Sequence, residues 1–140
     1  MIEQRTFDSV SAGDEMPPMV KHATTTQLFL YSAATHNPHR IHYDREYAAV
    51  EGHPDILVHG PLQGAWLSQF VTDWAGPRGR VRQLSWQNRA RGFPNRDLTF
   101  RGKVTATRTE DGQKLVDLDV WEEDDEGKVL MPGKATVALP

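Results

Sequence analysis

Between Pro61 and Trp74 the apolar residues Leu62, Trp66, Leu67, Phe70, Val71 and Trp74 recur at helical spacing. This predicts a helix with one face buried in a core. Pro61 suits the first turn, where a missing N–H is no loss, and Ala75-Gly76-Pro77 stops the helix. Gly64 and Ala65 lie among the large residues and leave space for another backbone to approach. Downstream the period changes to two. Val81, Leu84 and Trp86 suggest a first strand. From Asp97 to Thr107, Leu98, Phe100, Val104 and Ala106 alternate with Thr99, Arg101, Lys103 and Thr105. Val116, Leu118 and Val120 alternate with Asp117 and Asp119, and Ala135, Val137 and Leu139 form a last strand. Turn signals separate these runs at Glu110-Asp111-Gly112 and at 123–127. Pro132-Gly133 marks a bulge or an edge position in the last strand.

The first twenty residues read as loop, broken by Ser-Ala-Gly-Asp-Glu and Met-Pro-Pro. Thr26 is a candidate cap for a short helix over residues 27–34, ended by Asn37-Pro38, because the residue before proline avoids the α region. A second short helix is expected from about Asp44 to Ala49, broken by Gly52-His53-Pro54. The acidic run at 122–126 is expected to be a solvated hairpin tip. An antiparallel sheet needs cover on one face, and the apolar helix is the evident cover. The expected fold class is therefore α+β, an antiparallel sheet wrapped around one central helix in the hot-dog manner.

Composition narrows the function classes. The chain has 140 residues, a formal net charge of -3 and no cysteine. That length suits one domain, 1–140, with a core of its own. Absence of cysteine removes disulfides, thiolate metal sites and cysteine nucleophiles, and fits a cytoplasmic setting. The charge gives no reason to expect nucleic acid. No secretory signal and no apolar run of membrane-spanning length is visible, so no membrane association is expected.

Thr35 to Asp44 reads T-H-N-P-H-R-I-H-Y-D, with histidines at 36, 39 and 42. Three readings are open: a metal cluster, exposed loop histidines, or a proton-moving imidazole. Pro38 interrupts the regular backbone that a histidine-based zinc site relies on. The catalytic reading draws on a second block, Val58-His59-Gly60-Pro61-Leu62, which delivers the chain to the start of the apolar helix. The N–H groups there are unpaired and carry partial positive charge. Gly60 has no Cβ to block a substrate oxygen. Pro61 has no donor, so the N–H of Gly60 or Leu62 would serve. An imidazole and such an amide are the two parts needed to move a proton α to a thioester carbonyl. The plain alternative for Gly60 is an ordinary loop-to-helix glycine.

These two blocks, Tyr31 to Asp44 and Val58 to Leu62, resemble the MaoC-like hot-dog family of (R)-specific enoyl-CoA hydratases and 3-hydroxyacyl-thioester dehydratases. The His39-Arg40-Ile41-His42-Tyr43-Asp44 form resembles the branch holding mesaconyl-CoA hydratases. The resemblance implies His42 as catalytic histidine, Asn37 orienting water or imidazole, and Gly60 as oxyanion donor. Where the family commonly has its catalytic Asp, this chain has Thr35. Asp44 is the candidate second carboxylate, with an N-cap as its other reading. His36 and His39 fall to the loop, and His59 to packing. Leu62, Arg89 and Arg91 are candidate substrate contacts. Arg78, Arg80, Arg82, Arg89 and Arg91 are either a phosphate grip for CoA or a solvated strand face. The resemblance implies an acyl-CoA or acyl-carrier thioester substrate, no cofactor, no metal and a homodimer. Two rivals stay open: an auxiliary subunit of a heteromer of hot-dog chains, suggested by Thr35, and a thioesterase, for which the helix offers only Asp73.

Overall fold

The computed structural model describes residues 3–140. In chain order the elements are β1 (Glu15–His22), α1 (Thr25–Ala34), a 3-10 turn (Arg40–His42), α2 (Arg45–Val50), α3 (Gly60–Ala75), β2 (Arg80–Trp86), β3 (Asp97–Glu110), β4 (Gln113–Glu123) and β5 (Val129–Ala138). The five strands form one antiparallel sheet in the order β1-β3-β4-β5-β2. α3 lies against its inner face and buries Leu62, Trp66, Leu67, Phe70, Val71 and Trp74. They meet Leu98, Phe100 and Val104 of β3, Leu118 and Val120 of β4, and Ala135 and Val137 of β5. Two-fold strand periodicity and helical periodicity thus converge on one core, and the α+β hot-dog fold is present.

Five expectations change. Residues 15–22 are a strand rather than loop. β1 is an edge strand with only Met16 buried, so it carries no alternating pattern, and Pro17-Pro18 sit where the register shifts between Met16 and Met19. Prolines are tolerated at such positions because no ladder hydrogen bond is lost. The cap of α1 is Thr24 rather than Thr26: its hydroxyl accepts from Gln27 N at 3.1 Å, with extended backbone at Thr24. β5 is interior, between β4 and β2. Pro132 sits just past the last β2 pair, Trp86–Gly133, with its carbonyl accepting from Gln87 N, so the missing N–H faces the side where β2 has ended. The nearby bulge lies in the β4–β5 pairing, between Glu122 and Glu123. Gly64 admits an indole, that of Trp86, rather than a backbone, and Ala65 faces outward.

The fifth change concerns the acidic run. Asp124 does hold the hairpin turn, accepting from Glu126 N and Lys128 N. Glu122, however, continues the inward series Leu118, Val120, Glu122 and is 0% exposed. Strand alternation, which the run of acids conceals, puts a carboxyl in the core. Its Oε2 accepts from Gln63 Nε2 of α3 at 2.8 Å, and its Oε1 has no partner.

Candidate active site

The histidine segment is shaped by how α1 ends. His36 adopts the left-handed conformation at φ 52°. Asn37 N then bonds Ser32 O at 2.9 Å and His36 N bonds Ala33 O at 3.4 Å, a Schellman ending that satisfies the last carbonyls. Thr35 Oγ1 donates back to Tyr31 O at 2.7 Å. Asn37 Oδ1 accepts from His39 N at 3.3 Å, so Asn37 holds the loop that leads into the 3-10 turn at Arg40–His42. That turn is tied to the approach of α3 twice. Leu57 N donates to Ile41 O at 2.9 Å, and His42 Nδ1 lies 2.8 Å from Leu57 O.

The second bond fixes the chemistry of His42. A carbonyl only accepts, so Nδ1 carries the proton. Neutral His42 therefore presents a bare Nε2. Burial lowers its pKa below the usual histidine value, against the Leu57 carbonyl, which raises it, and with a smaller lowering from His39. The imidazole is an unprotonated base at neutral pH.

His42 also stacks flat on His59, with ring centroids 3.7 Å apart and planes at 17°. His59 is fully buried and is the residue immediately before Gly60, the first residue of α3. His42 thus lies against the side chain of the residue that precedes the helix amide with which it is expected to act. Pro61, at the second helical position, offers no donor. Leu62 is buried with the core, so only its N–H, not its side chain, is placed at the helix entrance. A Cβ on Gly60 would meet Asn88 Nδ2 at 2.8 Å. Asn88, which sequence reasoning missed, therefore fills the space that the absent Cβ of Gly60 leaves, so the approach expected to be open to a substrate oxygen on that side holds a side-chain amide instead. The same loop carries Arg89 and Arg91, both exposed, and its Gly92 O accepts from Val58 N. Arg89 reaches Gln87 Oε1 and lines a cleft of about 560 Å³ with Trp86, Trp121 and Lys134. A second cleft of about 300 Å³, lined by Phe29, Ser32, Ala33, His36, Pro38 and Tyr43, opens beside the stacked rings through Ser32.

Asp44 is committed elsewhere. Its Oδ1 accepts from Tyr47 N at the start of α2, and its Oδ2 pairs with Arg40 Nη2 at 2.6 Å. The Tyr47 amide and then Arg40 hold its pKa below the usual carboxylate range. Asp44→Asn keeps the cap, since asparagine caps equally well, and is expected to change turnover less than about threefold. A far larger kinetic loss would put Asp44 back in the chemistry. Among the described residues no group of three or more His, Asp and Glu side chains is placed to hold a metal. No helix among them is long and apolar enough to cross a membrane.

The sheet wrapped around one helix is the hot-dog fold, shared with a MaoC-like dehydratase of known structure at a TM-score of 0.88 and 24% identity, covering 98% of this chain and 43% of that one. Residues 5–94 match the model of the hydroxyacyl-thioester dehydratase type 2 family, and the chain belongs to that family. It is 47% identical over 64 residues to mesaconyl-C(4)-CoA hydratase of Chloroflexus aurantiacus, covering 41% of this chain and 23% of that protein. It is 32% identical over 99 residues to the mitochondrial hydroxyacyl-thioester dehydratase type 2 of Saccharomyces cerevisiae, covering 69% of this chain and 35% of that one. These matches span about a quarter to a third of the relatives' length. Among solved structures, a chain of the ChsH1-ChsH2 complex from Mycobacterium tuberculosis superposes with a TM-score of 0.78 at 24% identity, covering 93% of this chain and 98% of that one.

Proposed function

We propose that this chain adds water to, or removes it from, the α,β double bond of an acyl thioester carried by CoA or a carrier protein. The observation that carries the reading is the Leu57-fixed tautomer of His42, stacked beside the residue that opens α3. In the hydration direction, Nε2 of His42 takes a proton from water as its oxygen bonds to Cβ. The electron pair moves onto the thioester oxygen, which the Gly60 N–H stabilises with the Asn88 amide nearby. The imidazolium then returns the proton to Cα, and the neutral base is regenerated. One base suffices for the cycle, which accommodates Thr35 where a second carboxylate is common in the family. Arg89 and Arg91, on the loop beside Gly60, suit the phosphates of a CoA carrier.

The test is a panel of short, long, branched and steroidal enoyl-CoAs, followed by loss of the conjugated-thioester absorbance. Hydration of at least one member supports the proposal. Release of free CoA in place of hydration would make the chain a thioesterase. The one carboxylate on α3 itself, Asp73, lies 13 residues along the helix from Gly60, about 20 Å at the helical rise.

The proposed assembly is a homodimer, with exposed Val81 and Trp86 on edge strand β2 as apolar surface for a second copy. Thr35 supports one alternative: an auxiliary subunit whose carboxylate-bearing partner does the chemistry. A purified homomer that turns over enoyl-CoA excludes it.

A further inference from the structure

His59 is an expensive residue for its place. It is completely buried, its Nε2 is 2.7 Å from Ser32 Oγ of α1, and its Nδ1 has no partner. A leucine or phenylalanine would fill the volume without stranding a polar atom. The unpartnered nitrogen also settles the tautomer. Orphaned buried N–H groups are rarer than under-satisfied acceptors. His59 therefore carries its proton on Nε2, donates it to Ser32 and leaves Nδ1 bare. What the imidazole achieves is a flat ring held at a fixed angle, with His42 lying on it at 3.7 Å. Tyr31 also packs on His59, edge-to-face with ring centroids 4.7 Å apart, and limits its rotation.

We propose that Ser32 and His59 form a positioning unit: the Ser32-anchored ring covers one face of His42, keeps water from it, and holds its plane so that Nδ1 stays on Leu57 O and Nε2 stays aimed at substrate. This rests on the reading of His42 as the acid–base group. The titratable groups facing the pair are few. Tyr31 comes from α1. His39 comes from the loop, 6.2 Å from His42, with its own Nε2 4.0 Å from Glu51 Oε1. Burial, and then His42, lowers the pKa of His59 to about 4. The unit is therefore uncharged at neutral pH. A charged His59 would place a cation against the base and defeat it.

The experiment uses the full chain and the variants Ser32→Ala, His59→Leu and His59→Phe. Two readouts are taken: the titration and tautomer of His42 by imidazole NMR, and kcat and KM with the best enoyl-CoA of the panel. In Ser32→Ala and His59→Leu, His42 is expected to titrate closer to the ordinary 6.5 and to lose its single tautomer. kcat should fall about ten- to a hundredfold, the scale of a misplaced catalytic group, with KM nearly unchanged. His59→Phe keeps a flat ring without the anchor and should lie between wild type and His59→Leu. If His59→Leu does not fold, Ser32→Ala decides by the same two readouts. Folded variants in which His42 titrates, holds its tautomer and turns over as in wild type overturn the proposal. If no enoyl-CoA is hydrated by wild type, the functional reading fails alone, and the NMR arm still decides whether Ser32 and His59 position His42.

Discussion

His42→Asn is expected to abolish most enoyl-thioester turnover, lowering kcat by about 10²- to 10⁴-fold, the usual contribution of a positioned acid–base group, while leaving the fold in place. Asparagine is the informative substitution because its amide nitrogen can take over the Nδ1 position and still donate to Leu57 O. It lacks a basic nitrogen where Nε2 stood. His42→Ala removes both functions, strands the Leu57 carbonyl and opens a void beside His59. Its loss would mix chemistry with local collapse. Turnover by His42→Asn near the wild-type rate, with a wild-type melting curve, would remove His42 from the chemistry. A pH profile adds an independent check. Because burial lowers the pKa of His42, the acid limb of kcat/KM for hydration should lie below 6.5 and the rate should be flat through neutrality. As pH falls through that pKa, Nε2 is protonated and cannot accept a proton from water, so the rate declines. A limb above 6.5 would point to another base.

The parts of the molecule that could be read from the sequence are those whose burial repeats with a period. α3 has Trp66, Leu67, Phe70, Val71 and Trp74 on one buried face, and β3 and β4 alternate cleanly through Leu98, Phe100 and Val104 and through Leu118 and Val120. β1 was not legible because an edge strand with Met16 alone buried has no such rhythm, and its two prolines read as breakers. The site divides in the same way. His42 and Gly60 stand out as residue types at telling positions, and His42 stacks on His59, the residue before Gly60. Asn88 and Ser32 did not stand out. Nothing local distinguishes an asparagine in a polar loop or a serine in a helix from their neighbours, and their importance arises only when Gly60 and His59 are folded against them. Asp44 carried two readings, a second carboxylate or an N-cap, and the structure shows the cap. Its place after His42 suggested chemistry, whereas its two oxygens serve the α2 amide and Arg40.

Glu122 was concealed by its neighbours, and it predicts a large pH effect. The carboxyl is 0% exposed and makes one hydrogen bond, from Gln63, so burial raises its pKa to about 7 while the Gln63 bond acts weakly the other way. In the unfolded chain it titrates near 4.5. Between those values the folded state holds a proton that the unfolded state has released. Stability must therefore fall as pH rises through that window, by about 1.4 kcal/mol per pH unit from this group alone. Across the whole window the loss is about 3 kcal/mol, and above about pH 7 the carboxylate is charged in both states and the loss is complete. Glu122→Gln keeps the size and an acceptor for Gln63 Nε2 without the charge. At pH 4 to 4.5 the variant and wild type should unfold alike. At pH 8 the variant should be the more stable by up to about 3 kcal/mol, or roughly 10 °C in Tm for a chain of this length. Denaturant titrations at several pH values measure the difference directly. A Glu122→Gln difference that stays constant from pH 4.5 to 8 would mean that Glu122 is ionised throughout, and that a cation or ordered water reaches Oε1 in solution.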